Sequence, residues 1–83
     1  MTDEIIRVVK REAMVAVPRQ ALDDPRLSLA AKGLWAYLFA HPELTAEGIE
    51  ADDLARRGVG EADEIRHCLK ALLQAGYLTE ESA

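Results

Sequence analysis

Asp52-Asp53-Leu54-Ala55-Arg56-Arg57-Gly58-Val59-Gly60-Glu61-Ala62-Asp63-Glu64-Ile65-Arg66-His67-Cys68-Leu69-Lys70-Ala71-Leu72-Leu73-Gln74 is the stretch on which the fold turns. Ile65, Cys68, Leu69, Leu72 and Leu73 recur at intervals of three and four, which places them on one face of a helix running from Gly60 to about Gln74. Leu54 and Ala55 mark the inner face of a shorter helix, about Ala51 to Arg57. Gly58 supplies its stop, because glycine enters the left-handed conformation without steric cost. A short helix, a tight glycine-bearing turn and a second helix make a helix-turn-helix.

Upstream, Ser28 is placed to cap a helix over Leu29–Ala40, with Leu34, Trp35, Leu38 and Phe39 on a broad apolar face and Pro42 as the stop. Gly33 inside that helix costs about 1 kcal/mol relative to alanine, so close packing is expected there. Asp23-Asp24-Pro25 is a break. Pro18 ends a strand or opens one helical turn through Leu22. Further back, Glu4 to Arg11 and Met14 to Val17 are rich in β-branched residues, and a hairpin across Arg11-Glu12-Ala13 would join them. Downstream, Gly76 ends the last helix and Tyr77-Leu78-Thr79 reads as a short strand. The expected fold class is therefore mainly α with a small β part (α+β): a winged helix-turn-helix with a truncated wing and an N-terminal β-hairpin or strand. Residues 1–83 are expected to form a single domain, with 1–3 and 80–83 as loose ends.

Two blocks carry a resemblance. Val17-Pro18-Arg19, Leu22 through Leu34 and Ala36-Tyr37-Leu38 form the first; Leu54-Ala55, Gly58-Val59-Gly60, Ile65, Leu69, Leu72 and Ala75-Gly76-Tyr77-Leu78 form the second. Together they resemble the N-terminal winged-helix domains of bacterial, phage and plasmid replication initiators and related regulators. The resemblance implies double-stranded DNA as partner, a role in replication or transcription regulation for a phage or mobile element, and the helix from Gly60 as the one that enters the major groove. The candidate DNA contacts are Arg56 and Arg57 at the end of the short helix, and Arg66, His67, Lys70 and Gln74 on the outward side of the next.

Charge supports a different reading. The formal net charge is −5. Residues 1–29 balance at five basic against five acidic side chains; residues 30–60 hold three against five, and 61–83 two against five. Phosphate neutralisation supplies much of the affinity of a DNA binder. The second helix instead opens with Glu61, Asp63 and Glu64. One like-charge contact at about 4 Å costs roughly 4 kcal/mol at an effective dielectric of about 20. Carboxylates in a first helical turn also have a purely structural use, since they favour the macrodipole by about 0.3–1 kcal/mol each. The alternative function is an acidic protein-binding module, an adaptor or a phage-type inhibitor. Glu61, Asp63 and Glu64 would then occupy a nucleic-acid-binding surface, a basic groove, on a partner protein.

Other chemistry is sparse. Arg7, Lys10, Arg11, Arg19 and Arg26 form a second basic group, expected to be a solvated face or a modest patch. Arg66 and His67 follow Asp63 by three and four residues, the spacing of ordinary intrahelical pairs. Cys68 lies on the buried face and is expected to be inert core; a lone cysteine forms no intrachain disulfide. His41 reads as a helix-end residue and Asp23-Asp24 as a turn signal. Trp35 and Phe39 read as core, or as partner anchors if exposed. No nucleophile motif, glycine-rich phosphate loop or metal-ligand set is present, so the chain is read as a non-enzyme without cofactors. An acidic N-terminus and the lack of any apolar run near the ~20 residues of a membrane span point to the cytoplasm. N-terminal strand edges also offer a route to a homodimer.

Overall fold

A computed structural model describes residues 4–7, 14–46 and 48–80. Among the described residues four α-helices follow one another: α1 (Arg19–Leu22), α2 (Leu29–Ala40), α3 (Ala51–Arg56) and α4 (Ala62–Gln74), with a 3-10 turn at Pro42–Leu44 after α2. Pro18 opens α1 as its N-cap residue. Ser28 starts α2: its Oγ accepts a hydrogen bond from the Ala31 N–H at 3.1 Å, satisfying one of the free amides of the first turn. His41 closes α2 with its backbone N–H donating to the Leu38 carbonyl, and its Nδ1 lies 3.2 Å from Glu43 Oε1.

Helices α3 and α4 end in the same way. Gly58 has φ +82° and Gly76 φ +88°. After α3, the Gly58 N–H donates to the Ala55 carbonyl and the Val59 N–H to the Leu54 carbonyl. After α4, the Gly76 N–H donates to the Leu73 carbonyl and the Tyr77 N–H to the Leu72 carbonyl at 2.9 Å. This is the Schellman arrangement, in which a left-handed glycine turns the chain and the next residue caps the helix. A side chain at either glycine would be strained by the positive φ.

Helix α4 packs against both α3 and α2, and α1 packs on α2. Ala21, Leu27, Ala31, Leu34, Leu38, Leu54, Ile65, Cys68 and Leu72 form one buried cluster, with Leu54 and Leu72 the largest side chains fully enclosed. Trp35, Leu69 and Tyr77 pack against it while half-buried. Trp35 meets Phe39 edge-on at 4.8 Å between ring centroids, and Tyr77 at 5.4 Å.

The expected α+β class is corrected: no strand occurs among the described residues, and the structure there is helical with connecting turns. Tyr77-Leu78-Thr79 is not a strand, and its first two amides are committed to a helix end. The N–H groups of Tyr77 and Leu78 both donate to the Leu72 carbonyl, which folds the segment back onto α4. Tyr77 is fixed again through its hydroxyl, which donates to Asp24 Oδ2 at 2.8 Å. The N-terminal hairpin is likewise not formed where it can be followed: 4–7 and 14–17 are described and carry no ladder pairing, while the turn at 11–13 and residues 8–10 lie outside the described residues. A strand without a partner gains no ladder hydrogen bonds and is not stable by itself. Gly33 is a second correction. It is exposed, and a Cβ built on it meets nothing within 4 Å, so it does not mark close packing.

Candidate nucleic-acid interface

The α3–α4 pair sets out the sequence-derived candidates. Ile65, Cys68 and Leu72 turn inward on α4, so Arg66, His67, Lys70 and Gln74 are left on the solvent side of the same helix, and all four are exposed. Arg56 is the last residue of α3 and Arg57 its C-cap; both are exposed. Glu61 is the N-cap of α4, without a side-chain cap bond, and Asp63 and Glu64 occupy the first turn. The fold sets Asp63 beside Arg66 on the outward face, while Glu64 borders a hollow with Leu34, Tyr37 and Cys68 on the side of α4 toward α2.

On that face the cations do not stand alone. Arg56 donates to Asp53 one turn earlier in α3. Arg66 is held twice: Nη1 donates to Asp63 Oδ1 and Nη2 to Asp52 Oδ1, each at 2.7 Å. The first is the intrahelical pair expected from spacing. The second joins the start of α3 to the middle of α4 across fourteen residues of sequence, which no local pattern announces. Arg57 and Lys70 form no salt bridge among the described residues. Residues 52–70 hold four basic against five acidic side chains, so the positive strip is interrupted by carboxylates. Each pair is more than half exposed at both ends and weak, worth about 0–1 kcal/mol, so a phosphate can displace a carboxylate at small cost.

The N-terminal basic group does not assemble as a patch among the described residues. Arg19 pairs with Asp23 at 3.2 Å and Arg26 with Asp24 at 2.7 Å. Lys10 and Arg11 lie outside the described residues. Asp24 is the residue that sequence reading undervalued. It is buried, and it accepts from the Arg26 backbone N–H at 2.9 Å, from the Arg26 guanidinium and from the Tyr77 hydroxyl. The Arg26 side-chain bond, above the other contacts, holds its carboxyl well below the usual range, and the same carboxylate pushes the Tyr77 phenol up. The turn signal at Asp23-Asp24-Pro25 is therefore also the anchor for the segment after α4.

Burial, and secondarily the charge of Glu64, raises the Cys68 thiol, which places it among structural rather than reactive cysteines. Among the described residues, no group of three or more His, Cys, Asp or Glu side chains is placed to hold a metal ion. Comparison with protein-family models, with curated proteins and with solved structures returns no match. Among the described residues, no helix is long and apolar enough to cross a membrane.

Proposed function

We propose that this chain binds double-stranded DNA through the exposed side of α4, in the control of replication or transcription inside the cell. The observation that carries the reading is the α3–turn–α4 unit, with α4 packed on α2, which leaves Arg66, His67, Lys70 and Gln74 along one outward stripe with Arg57 at the adjoining helix end. Side chains of this length on an exposed helix can reach base edges and phosphates. The resemblance of the Leu22-to-Leu38 and Leu54-to-Leu78 blocks to replication-initiator domains supports the same direction. Binding is weak, because two of the four cations near the face, Arg56 and Arg66, are already paired with carboxylates. Fluorescence anisotropy of a labelled duplex against the full chain tests it: affinity must fall as salt rises, since phosphate contacts release counterions. Absence of binding at low salt, or affinity indifferent to salt, removes the reading.

A second reading rests on the ion pairs themselves. Arg56 and Arg66 are both engaged by carboxylates, and Glu61, Asp63 and Glu64 are exposed at the start of α4. That face suits a basic groove on another protein. A lysine- and arginine-rich peptide is the probe: binding lost on joint Glu61→Lys, Asp63→Lys and Glu64→Lys replacement supports this reading, and unchanged binding removes it.

A further inference from the structure

Helix α2 is apolar all round: of its twelve residues only Lys32 is charged. A helix of that kind is ordinarily covered on every side. Ala31, Leu34 and Leu38 are buried, whereas Leu29 is 87% exposed and Gly33 faces solvent. Gly33 weakens the helix relative to alanine, yet a Cβ built there meets nothing within 4 Å. Beside it a hollow of about 370 Å³ opens between α2 and the α3–α4 turn, with Leu34, Tyr37, Val59 and Ile65 on its walls and Glu64 at its border. Among the described residues, neither Lys32 nor Glu64 forms a salt bridge.

These features are complementary to themselves. Leu29 and Tyr37 stand four residues before and four after Gly33, so the three lie along one row of the helix surface. A two-fold axis through Gly33 sets α2 antiparallel to its copy and reverses that row. Leu29 then meets Tyr37 of the second copy and the hollow next to it, and symmetry makes the same contact twice. Charge follows the same operation. Adjacent helix residues point about 100° apart, so Lys32 and Leu34 flank Gly33 on opposite sides. The hollow and Glu64 lie on the Leu34 side. The two-fold exchanges the sides and carries Lys32 to the side on which the second copy holds Glu64. Glycine at the crossing lets two helix axes approach closely, a use for Gly33 that the single chain lacks. We propose that the outward side of α2, with the adjoining hollow, is the interface of a two-fold homodimer, and that a second copy of this chain is its occupant.

Sedimentation velocity of the full chain, without DNA, from low micromolar to near-millimolar concentration tests this. A dimer is expected at the upper end. Gly33→Gln blocks the close approach and should leave a monomer; glutamine is the better helix former and the site is open, so helical circular dichroism should be kept. Lys32→Glu alone, or Glu64→Lys alone, turns two symmetric attractions into repulsions and should weaken dimerisation roughly tenfold. The double variant carrying both should regain the parent's dimer, because each reversed charge again meets its opposite. A monomer throughout the range overturns the proposal and leaves the α2 face to a different protein. So does a dimer indifferent to Gly33→Gln, as one built on the N-terminal segment would be, or a double variant no tighter than the single ones. Arg66, His67, Lys70 and Gln74 do not border the hollow, and no DNA is present, so none of these results bears on the DNA reading.

Discussion

Replacing Asp52 and Asp63 together by asparagine releases Arg66 from both carboxylates that hold it at 2.7 Å. Among the described residues, Arg57 and Lys70 are the cations near the α4 face that form no salt bridge. Two phosphate contacts give a log–log salt slope of about −1.8, so affinity for duplex DNA falls roughly 12-fold between 50 and 200 mM salt. Freeing Arg66 adds a third contact, steepens the slope to about −2.7 and makes the same loss roughly 40-fold. Two fewer negative charges beside the phosphates also tighten binding at the lower salt. The fold should tolerate the change. Each exposed pair contributes about 0–1 kcal/mol, and each first-turn carboxylate about 0.3–1 kcal/mol through the helix dipole, against a stability of roughly 5–15 kcal/mol for a domain. Anisotropy titrations of both proteins at several salt concentrations, with circular dichroism to confirm equal helix content, measure the two slopes. An unchanged slope, or weaker binding by the variant, would show that Arg66 does not face DNA and would refute the α4 interface.

Two further outcomes follow from the packing. Gly33→Ala should stabilise the protein by about 0.5–1 kcal/mol, since the residue sits in the exposed side of α2 with nothing within 4 Å of an added Cβ; thermal melting should shift upward by several degrees, and a lower melting temperature would contradict the open space found there. Asp24 carries a carboxyl whose pKa is depressed in the folded state, so its contribution is fully present above the ordinary carboxylate value of about 4 and is lost as pH falls below it toward the folded value. Asp24→Asn should therefore melt below the parent at neutral pH, with the gap closing as the solution is acidified; a gap that widens in acid would reverse the assignment.

Elements α2, α3 and α4 were legible in the residues themselves because their signals are local. Ser28 reaches only to Ala31, and Gly58 and Gly76 turn the chain within the span of a single cap. The three–four spacing of Ile65, Cys68, Leu69, Leu72 and Leu73 also lies within one helix, and three of those five are buried while Leu69 and Leu73 are half-buried. The exposed positions of Arg56, Arg57, Arg66, His67, Lys70 and Gln74 follow from the same periodicity. Strand expectations failed at Tyr77-Leu78-Thr79 because β-propensity is a claim on a partner, and there the amides found a helix end instead.

From sequence alone came the helices, their ends and the sides of α3 and α4 that face inward, all decided by interactions spanning a few residues. Tertiary structure alone decided that Arg66 is clamped by Asp52 from another helix, and that Tyr77 is tied to Asp24 across fifty-three residues. It also decided that the segment after α4 folds back rather than entering a sheet. Those outcomes depend on which distant groups packing brings within hydrogen-bond reach, and a linear pattern holds no record of such distances.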